Sequence, residues 1–244
     1  MAHPVKVDFV VAGAQKSGTK ALRHYLAAHP DVGLSKREEP HYFDMEIDRD
    51  ESGDYSGYHA EFDDAALAKC TGDFTPVYLY RRDCPAKMRA YNPGFRVIVV
   101  LRNPIERAYS QWAMERDKGH VPGGFLREIL REPLHYLRHG QHPVHSLVAR
   151  GFYARQLKRL YAAFPPEQVL VLRNEALSED HAGTLRQVYR FLGLRDVPVP
   201  APERVHSREY ASMPWLARWV LRRVFARDIR RLERMLGWDL RDWR

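Results

Sequence analysis

The sequence predicts an α/β fold in three layers, with a central parallel sheet flanked by helices. Three observations carry that expectation. Short runs rich in Val, Ile and Leu recur at residues 5–11, 96–101 and 168–172, the composition of strands buried on both faces of a parallel sheet. Between them lie stretches with the apolar period of helices. The first run leads directly into a glycine-bounded loop, "GAQKSGTKAL" at residues 13–22, at the carboxyl end of a strand, where open α/β sheets bind ligands.

Each element has its own warrant. The helix expected over residues 18–29 puts Ala21, Leu22, Tyr25 and Leu26 on one face and stops before Pro30, because the residue before proline is pushed out of the helical region. A second, over residues 104–118, opens with Pro104 at its first position and Glu106 in its first turn, as helix starts prefer. A third, over residues 151–164, buries Tyr153, Leu157, Leu160 and Phe164 and ends at Pro165 and Pro166. Ser178 is the expected N-cap of a fourth, whose stripe is Leu185, Val188, Tyr189 and Leu192 and whose stop is Gly193. Residues 44–64 and 119–145 read as long excursions over the site. The expectation is one domain over residues 1–244, with an arginine-rich helical part from about residue 212.

A chain of 244 residues with 45% hydrophobic content can bury a sizeable core. The N-terminus has no apolar stretch of signal-peptide type, and no window approaches the roughly 18 to 20 apolar residues that span a bilayer. A cytoplasmic protein without a transmembrane segment is expected. Cys70 and Cys84 lack metal-ligand spacing and are expected to be free thiols. The net charge of +8 favours anionic partners: nucleic acid, a membrane surface or a polyphosphorylated small molecule. Much of the excess is C-terminal, from Arg218 to Arg234, where the arginines are a helix's solvated face or a docking surface.

The loop poses the chemical question. A Walker A loop reads G-x-x-x-x-G-K-[ST]. Gly13 and Gly18 have that spacing, but Thr19 precedes Lys20 and a second lysine, Lys16, stands inside the loop. A strand, a glycine-containing turn and a helix start aim backbone N–H groups at an anion, and Ser17 and Thr19 add hydroxyl donors. The plain alternative is an ordinary tight connection. Magnesium-dependent phosphoryl transfer also needs an acid at the end of a second strand. Here "RVIVVLRNPIERAYSQW" ends its strand in Arg102, with Ser110 eight residues on. A guanidinium and a hydroxyl grip a second phosphate. The pattern reads as a P-loop-like fold holding two phosphate groups without a metal.

The pair "GAQKSGTKALRHYLAAHPDV" and "VIVVLRNPIERAYSQW" resembles the 5'-phosphosulfate loop and 3'-phosphate motif of sulfotransferases that use 3'-phosphoadenosine 5'-phosphosulfate (PAPS). "HPDVGLSKREEPHYFD" is similar to the segment after the loop in heparan sulfate O- and N-sulfotransferases and their bacterial small-molecule relatives. Weaker resemblance continues through "GDFTPVYLY", "RGFYARQLKRLYAAFPPEQVLVLRNEAL" and "LERMLGWDLRDW", covering nearly the whole chain.

The resemblance implies sulfuryl transfer from PAPS to a hydroxyl or amine of a small molecule or glycan, with no nucleic-acid partner and no metal. It implies a cofactor loop of Gly13, Ala14, Gln15, Lys16, Ser17, Gly18, Thr19 and Lys20. Lys16 matches the lysine that contacts the phosphosulfate and helps the leaving oxygen. Lys20 either touches the same phosphate or acceptor or is a solvated helix residue. Glu39 matches the base, with Glu38 as its rival. His41 either orients or replaces that base, and Asp44 orients Lys20 or His41 or closes the turn. Arg102 and Ser110 match the 3'-phosphate ligands. Arg208, in "HSREY", resembles a further phosphate ligand, with a surface arginine as the alternative. Tyr153 either approaches the 3'-phosphate or packs in its helix stripe. One departure stands out: Phe74 occupies the place of a lysine found before Thr-Pro in the heparan sulfate branch, which points to a more apolar acceptor pocket or simply to packing. The alternatives to a sulfotransferase are a P-loop kinase and a basic nucleotide- or nucleic-acid-binding protein without catalysis.

Overall fold

The structure is a computed structural model, described here for residues 6–45, 54–65, 68–202 and 212–244. Its strands are β1 (Phe9–Gly13), β2 (Val32–Leu34), β3 (Cys70–Asp73), β4 (Arg96–Leu101) and β5 (Val169–Arg173). Its helices are α1 (Thr19–Ala27), α2 (Ser56–His59), α3 (Cys84–Tyr91), α4 (Pro104–Asp117), α5 (Phe125–His139), α6 (Tyr153–Ala163), α7 (Ala176–Glu179), α8 (His181–Leu192) and α9 (Trp215–Leu236). The five strands form one sheet in the order β2-β3-β1-β4-β5, every neighbouring pair parallel. The chain divides into two compact units, Met1–Leu101 with Arg159–His206, and Arg102–Lys158 with Ser207–Arg244.

The first unit holds the sheet. β1 is central, with Val10 opposite Asp73 of β3 and Val97 of β4. Side chains alternate between faces along a strand. Phe9, Val11, Ile98 and Val100 pack on one face against Leu22 and Leu26 of α1 and Leu185, Val188 and Leu192 of α8. Val10, Val97 and Val99 point the other way and are equally buried, so water is excluded from both faces. The connection from β1 to α1 therefore emerges at the carboxyl edge, beside the strand where the order turns.

Several expectations are met to within a residue or two. β4 spans the expected residues, and α4 begins at Pro104 with Asn103 as N-cap, its Oδ1 accepting from Ile105 N. Gly193 ends α8 with φ of 67°. Others are corrected. Ser178 lies in the short α7; the N-cap of α8 is Asp180, whose carboxylate accepts from Gly183 N. β1 starts at Phe9 instead of residue 5. β2 and β3 arise in segments without a buried-strand signature, and the stretch 119–145 contains the 15-residue α5. Cys70 and Cys84 are free and buried; burial pushes the Cys70 thiol up to about 12.

In the second unit, α4, α5 and α9 pack together. Ala154 N donates to the buried carboxylate of Asp228 at 3.1 Å, pinning the start of α6 to α9. Arg107, fully buried on α4, donates to Gln111 Oε1 at 2.8 Å and to the Leu147 carbonyl.

Candidate active site

The loop after β1 is built by close contacts. Ala14 N donates to Val100 O at 2.8 Å, tying the loop to β4, and Ser17 N donates back to Ala14 O at 3.1 Å, closing a four-residue turn. Lys16, third in that turn, has φ of 68°. That left-handed conformation costs a side-chain-bearing residue on the order of 1 kcal/mol and marks functional loops. Gly13 is required because a Cβ there would lie 2.6 Å from Leu79 Cβ. Gly18, with φ of 89°, is required twice, since its Cβ would also fall 2.4 Å from Asn174 Nδ2. That amide donates to Ser17 O at 3.0 Å.

Ser17 carries the most telling feature. It is fully buried, and its Oγ has no hydrogen-bond partner among the described residues. Leaving a buried hydroxyl unpaired costs roughly 1–3 kcal/mol. A phosphate oxygen would relieve that cost. The hydroxyl sits at the start of α1, where helix geometry leaves N–H groups unpaired and the dipole is positive. The residues present thus fit an anionic phosphate group.

Across a small cleft lined by Thr19, Lys20, Arg23, Glu38 and Glu39, with Phe74 and Pro76, lies an acid–imidazole constellation. His41 Nε2 is 3.2 Å from Glu39 Oε2, and His41 Nδ1 is 3.0 Å from Asp44 Oδ2. Asp44 first and Glu39 second raise the imidazole's pKa to about 10, so His41 is a cation near neutrality and has no lone pair for a proton. The ring thus bridges the two carboxylates of Glu39 and Asp44. The partner of Asp44 in this cleft is His41. Lys20 is bound by Glu38 instead, Nζ to Oε2 2.9 Å, with both side chains half exposed.

Beneath His41 stands a residue that sequence reasoning missed. His41 N donates to Thr75 Oγ1 at 3.3 Å, and Thr75 Oγ1 donates to Asp73 Oδ1 at 2.6 Å. Tyr58 and Tyr78 donate their hydroxyls to Asp73 Oδ2 at 2.9 and 3.0 Å. Tyr78 Oη also accepts from Tyr42 N and Phe43 N, so the buried carboxylate at the end of β3 anchors the segment bearing His41. Burial raises the Asp73 pKa to about 6, opposed by its three donors. An acid closing a buried strand beside β1 is the signal that could have found it. Asn174, directly after β5, was likewise missed; its strand-end position was the available clue.

The remaining expectations divide. Arg102 and Ser110 belong to the second unit, Arg102 directly after β4 and Ser110 buried on α4. Tyr153 is buried, and its hydroxyl donates to Arg102 O at 3.0 Å. That bond ties the Tyr153 side chain to the Arg102 backbone within the second unit. Arg208 lies outside the described residues. Phe74 is 2% exposed, packs edge-on against Phe9 and also lines the cleft.

A parallel sheet with a glycine-bounded anion loop between its central strand and α1 defines an α/β protein of the P-loop-like class. The sulfotransferase domain model matches residues 6–209, and the chain belongs to that family. It is 34% identical over 191 residues to human (Homo sapiens) heparan sulfate glucosamine 3-O-sulfotransferase 6, covering 77% of this chain and 52% of the human protein. The chain therefore spans about half the length of that curated relative. The crystal structure of a sulfotransferase from Alicyclobacillus acidocaldarius superposes with a TM-score of 0.86 at 27% identity, covering 98% of this chain and 99% of that one. A mouse sulfotransferase, SULT7A1, solved in complex with PAP, shares the fold at 18% identity, with a TM-score of 0.52 over 80% of this chain and 60% of the mouse chain.

Proposed function

We propose that this chain is a PAPS-dependent sulfotransferase acting on a hydroxyl or amine of a small molecule or glycan. The observation that carries the reading is that Glu39 lines the same cleft as Thr19 and Lys20 of the anion loop. A base and a phosphate cradle thus meet at one place. PAPS, when bound, supplies the sulfuryl group. Lys16 and the Ser17 hydroxyl hold the 5'-phosphosulfate end, Lys16 supplying positive charge for the leaving phosphate. Glu39 accepts the acceptor's proton, a contribution of about 10²- to 10⁴-fold in general-base catalysis. His41, fixed as a cation by Asp44, orients Glu39. Arg102 and Ser110 hold the 3'-phosphate, with Tyr153 fixing the Arg102 backbone. The mouse structure with PAP and the human 3-O-sulfotransferase support this choice of cofactor and acceptor class. Phe74, in place of a lysine, leaves the cleft with one cation fewer for a polyanionic acceptor.

Isothermal titration with 3'-phosphoadenosine 5'-phosphate against ATP and magnesium tests the reading. A clear preference for the bisphosphate is expected, with affinity reduced in Arg102→Ala. Equal affinity for both nucleotides overturns it.

A further inference from the structure

The second unit carries an apolar surface that its own described residues leave open to solvent. On α5, Leu130, Leu134 and Leu137 recur at one-face helical spacing and are 61%, 53% and 83% exposed. On α9, Trp215 and Trp219 are 75% and 47% exposed, with Leu216 and Val224 also exposed. Between the two helices runs an apolar groove to which Tyr136 and Leu137 of α5 and Val220 and Val224 of α9 contribute. Exposed apolar surface of this extent marks an interaction site.

The same helix is strongly cationic. Arg222, Arg223, Arg227, Arg230, Arg231 and Arg234 are exposed along α9. Its two acids do not balance them: Asp228 is buried and holds Ala154 N, and Glu233 is ion-paired with Arg244 at 2.8 Å. The Arg223 guanidinium lies over the Trp219 ring, 3.5 Å from its centroid, so charge and aromatic surface are interleaved.

We propose that the α5–α9 face docks onto the surface of an anionic lipid bilayer. Three chemistries must be matched at once. Aliphatic leucines and valines want hydrocarbon, tryptophans favour the boundary between hydrocarbon and water, and guanidinium groups want anionic headgroups. A nucleic acid would match the arginines and stack on the tryptophans but offers nothing to the leucine stripe. A protein interface would also accommodate tryptophan and arginine, but six exposed arginines on α9, not balanced by acids of that helix, favour an extended anionic surface. No helix among the described residues is long and apolar enough to cross a membrane, and the proposed docking is in-plane, along the 22 residues of α9. The inference stands independently of the proposed transfer activity.

The test is co-sedimentation of the full chain with phosphatidylcholine vesicles and with vesicles containing equal phosphatidylglycerol, together with tryptophan emission. Binding to the phosphatidylglycerol vesicles with a blue shift, weak binding to pure phosphatidylcholine, and loss of binding at high salt are expected. Arg227→Gln with Arg230→Gln should weaken binding about 25-fold, taking about fivefold for each headgroup contact. Trp215→Ser with Trp219→Ser should abolish the blue shift. All four positions are exposed, and circular dichroism checks that the variants fold. Absence of sedimentation, equal binding to both vesicle types, or tighter binding to duplex DNA than to the anionic vesicles overturns the proposal. So does concentration-dependent self-association that the tryptophan variants abolish while vesicle binding is unaffected.

Discussion

His41 Nε2 lies 3.2 Å from a carboxylate oxygen of Glu39. The contact separates two neighbouring acids that look interchangeable in "KREEP": Glu38 is spent on Lys20 at the surface, while Glu39 is held by a ring that Asp44 fixes from behind. Glu39→Gln is therefore expected to lower kcat by about 10²- to 10⁴-fold, with bisphosphate affinity retained. Glu38→Gln removes a half-exposed ion pair worth about 0.2–1 kcal/mol and should change kcat by less than about fivefold. Steady-state kinetics with PAPS and titration with the bisphosphate measure both. Equal losses in the two variants would move the base away from Glu39.

The same contact predicts a pH dependence. The folded pKa of His41, about 10, is raised above its ordinary value near 6.5. A raised cationic group contributes stability that is fully present below the unfolded value and is lost as pH rises through the folded one. The stability difference between the parent chain and His41→Gln should be largest near pH 6 and shrink through pH 10. Denaturant titrations at several pH values measure it, and NMR of the ring should show no titration between pH 6 and 8.

The Ser17 hydroxyl is expected to behave oppositely in the two states of the site. It is buried and unpartnered among the described residues, so Ser17→Ala relieves a desolvated group and should leave stability unchanged or raise it by up to about 1 kcal/mol. A hydrogen bond to a charged phosphate is worth about 1.5–3 kcal/mol, so bisphosphate affinity should fall by about 10- to 100-fold. Thermal unfolding with and without the bisphosphate reads both effects. A stability loss without an affinity change would show that the hydroxyl is structural.

What the sequence discloses follows from how each element is encoded. β4 and α4 carry their own signals, an uninterrupted aliphatic run and a proline at the helix start. β2 and β3 are three and four residues long and contain Gly33 and Gly72; they are strands because β1 offers a ladder to pair with, which no local pattern records. α5 was hidden by Pro133 and by the histidines and glycines after it. The loop residues, Glu39, His41 and Arg102 were legible as candidates because each sits in a short contiguous motif. Asn174 was not, since its partner lies 157 residues away and only the folded sheet brings them together; Asp73 has two local partners, Thr75 and Tyr78, but nothing in the sequence records that its carboxylate is buried beneath the segment bearing His41.

Asn174 is accordingly expected to act as a positioning residue for the loop. Its amide donates to Ser17 O, and Gly18 leaves room for it. Asn174→Ala removes one hydrogen bond, lowering stability by about 1 kcal/mol. The loosened loop should raise the KM for PAPS several-fold while kcat at saturation changes little. Gly18→Ala should be worse, because it imposes both a left-handed φ and the clash with the amide. A kcat loss in Asn174→Ala as large as that of Glu39→Gln would instead place the amide among the reacting groups.

Asp73 gives the last prediction, with a sign opposite to that of an ordinary salt-bridged acid. Burial raises its folded pKa from 3.8 to about 6. An acid whose folded pKa is raised contributes stability that is fully present below the unfolded value and is lost as pH rises through the folded one. The parent chain should therefore lose stability relative to Asp73→Asn between about pH 4 and pH 7, by about 3 kcal/mol at 1.36 kcal/mol per pKa unit. The asparagine keeps the shape but is a poorer acceptor for Tyr58, Tyr78 and Thr75, so it should still be destabilised by about 1–3 kcal/mol at pH 4. Denaturant midpoints of the two proteins across that range measure the difference, and a gap that widens with rising pH would mean that the carboxylate is stabilised as an anion.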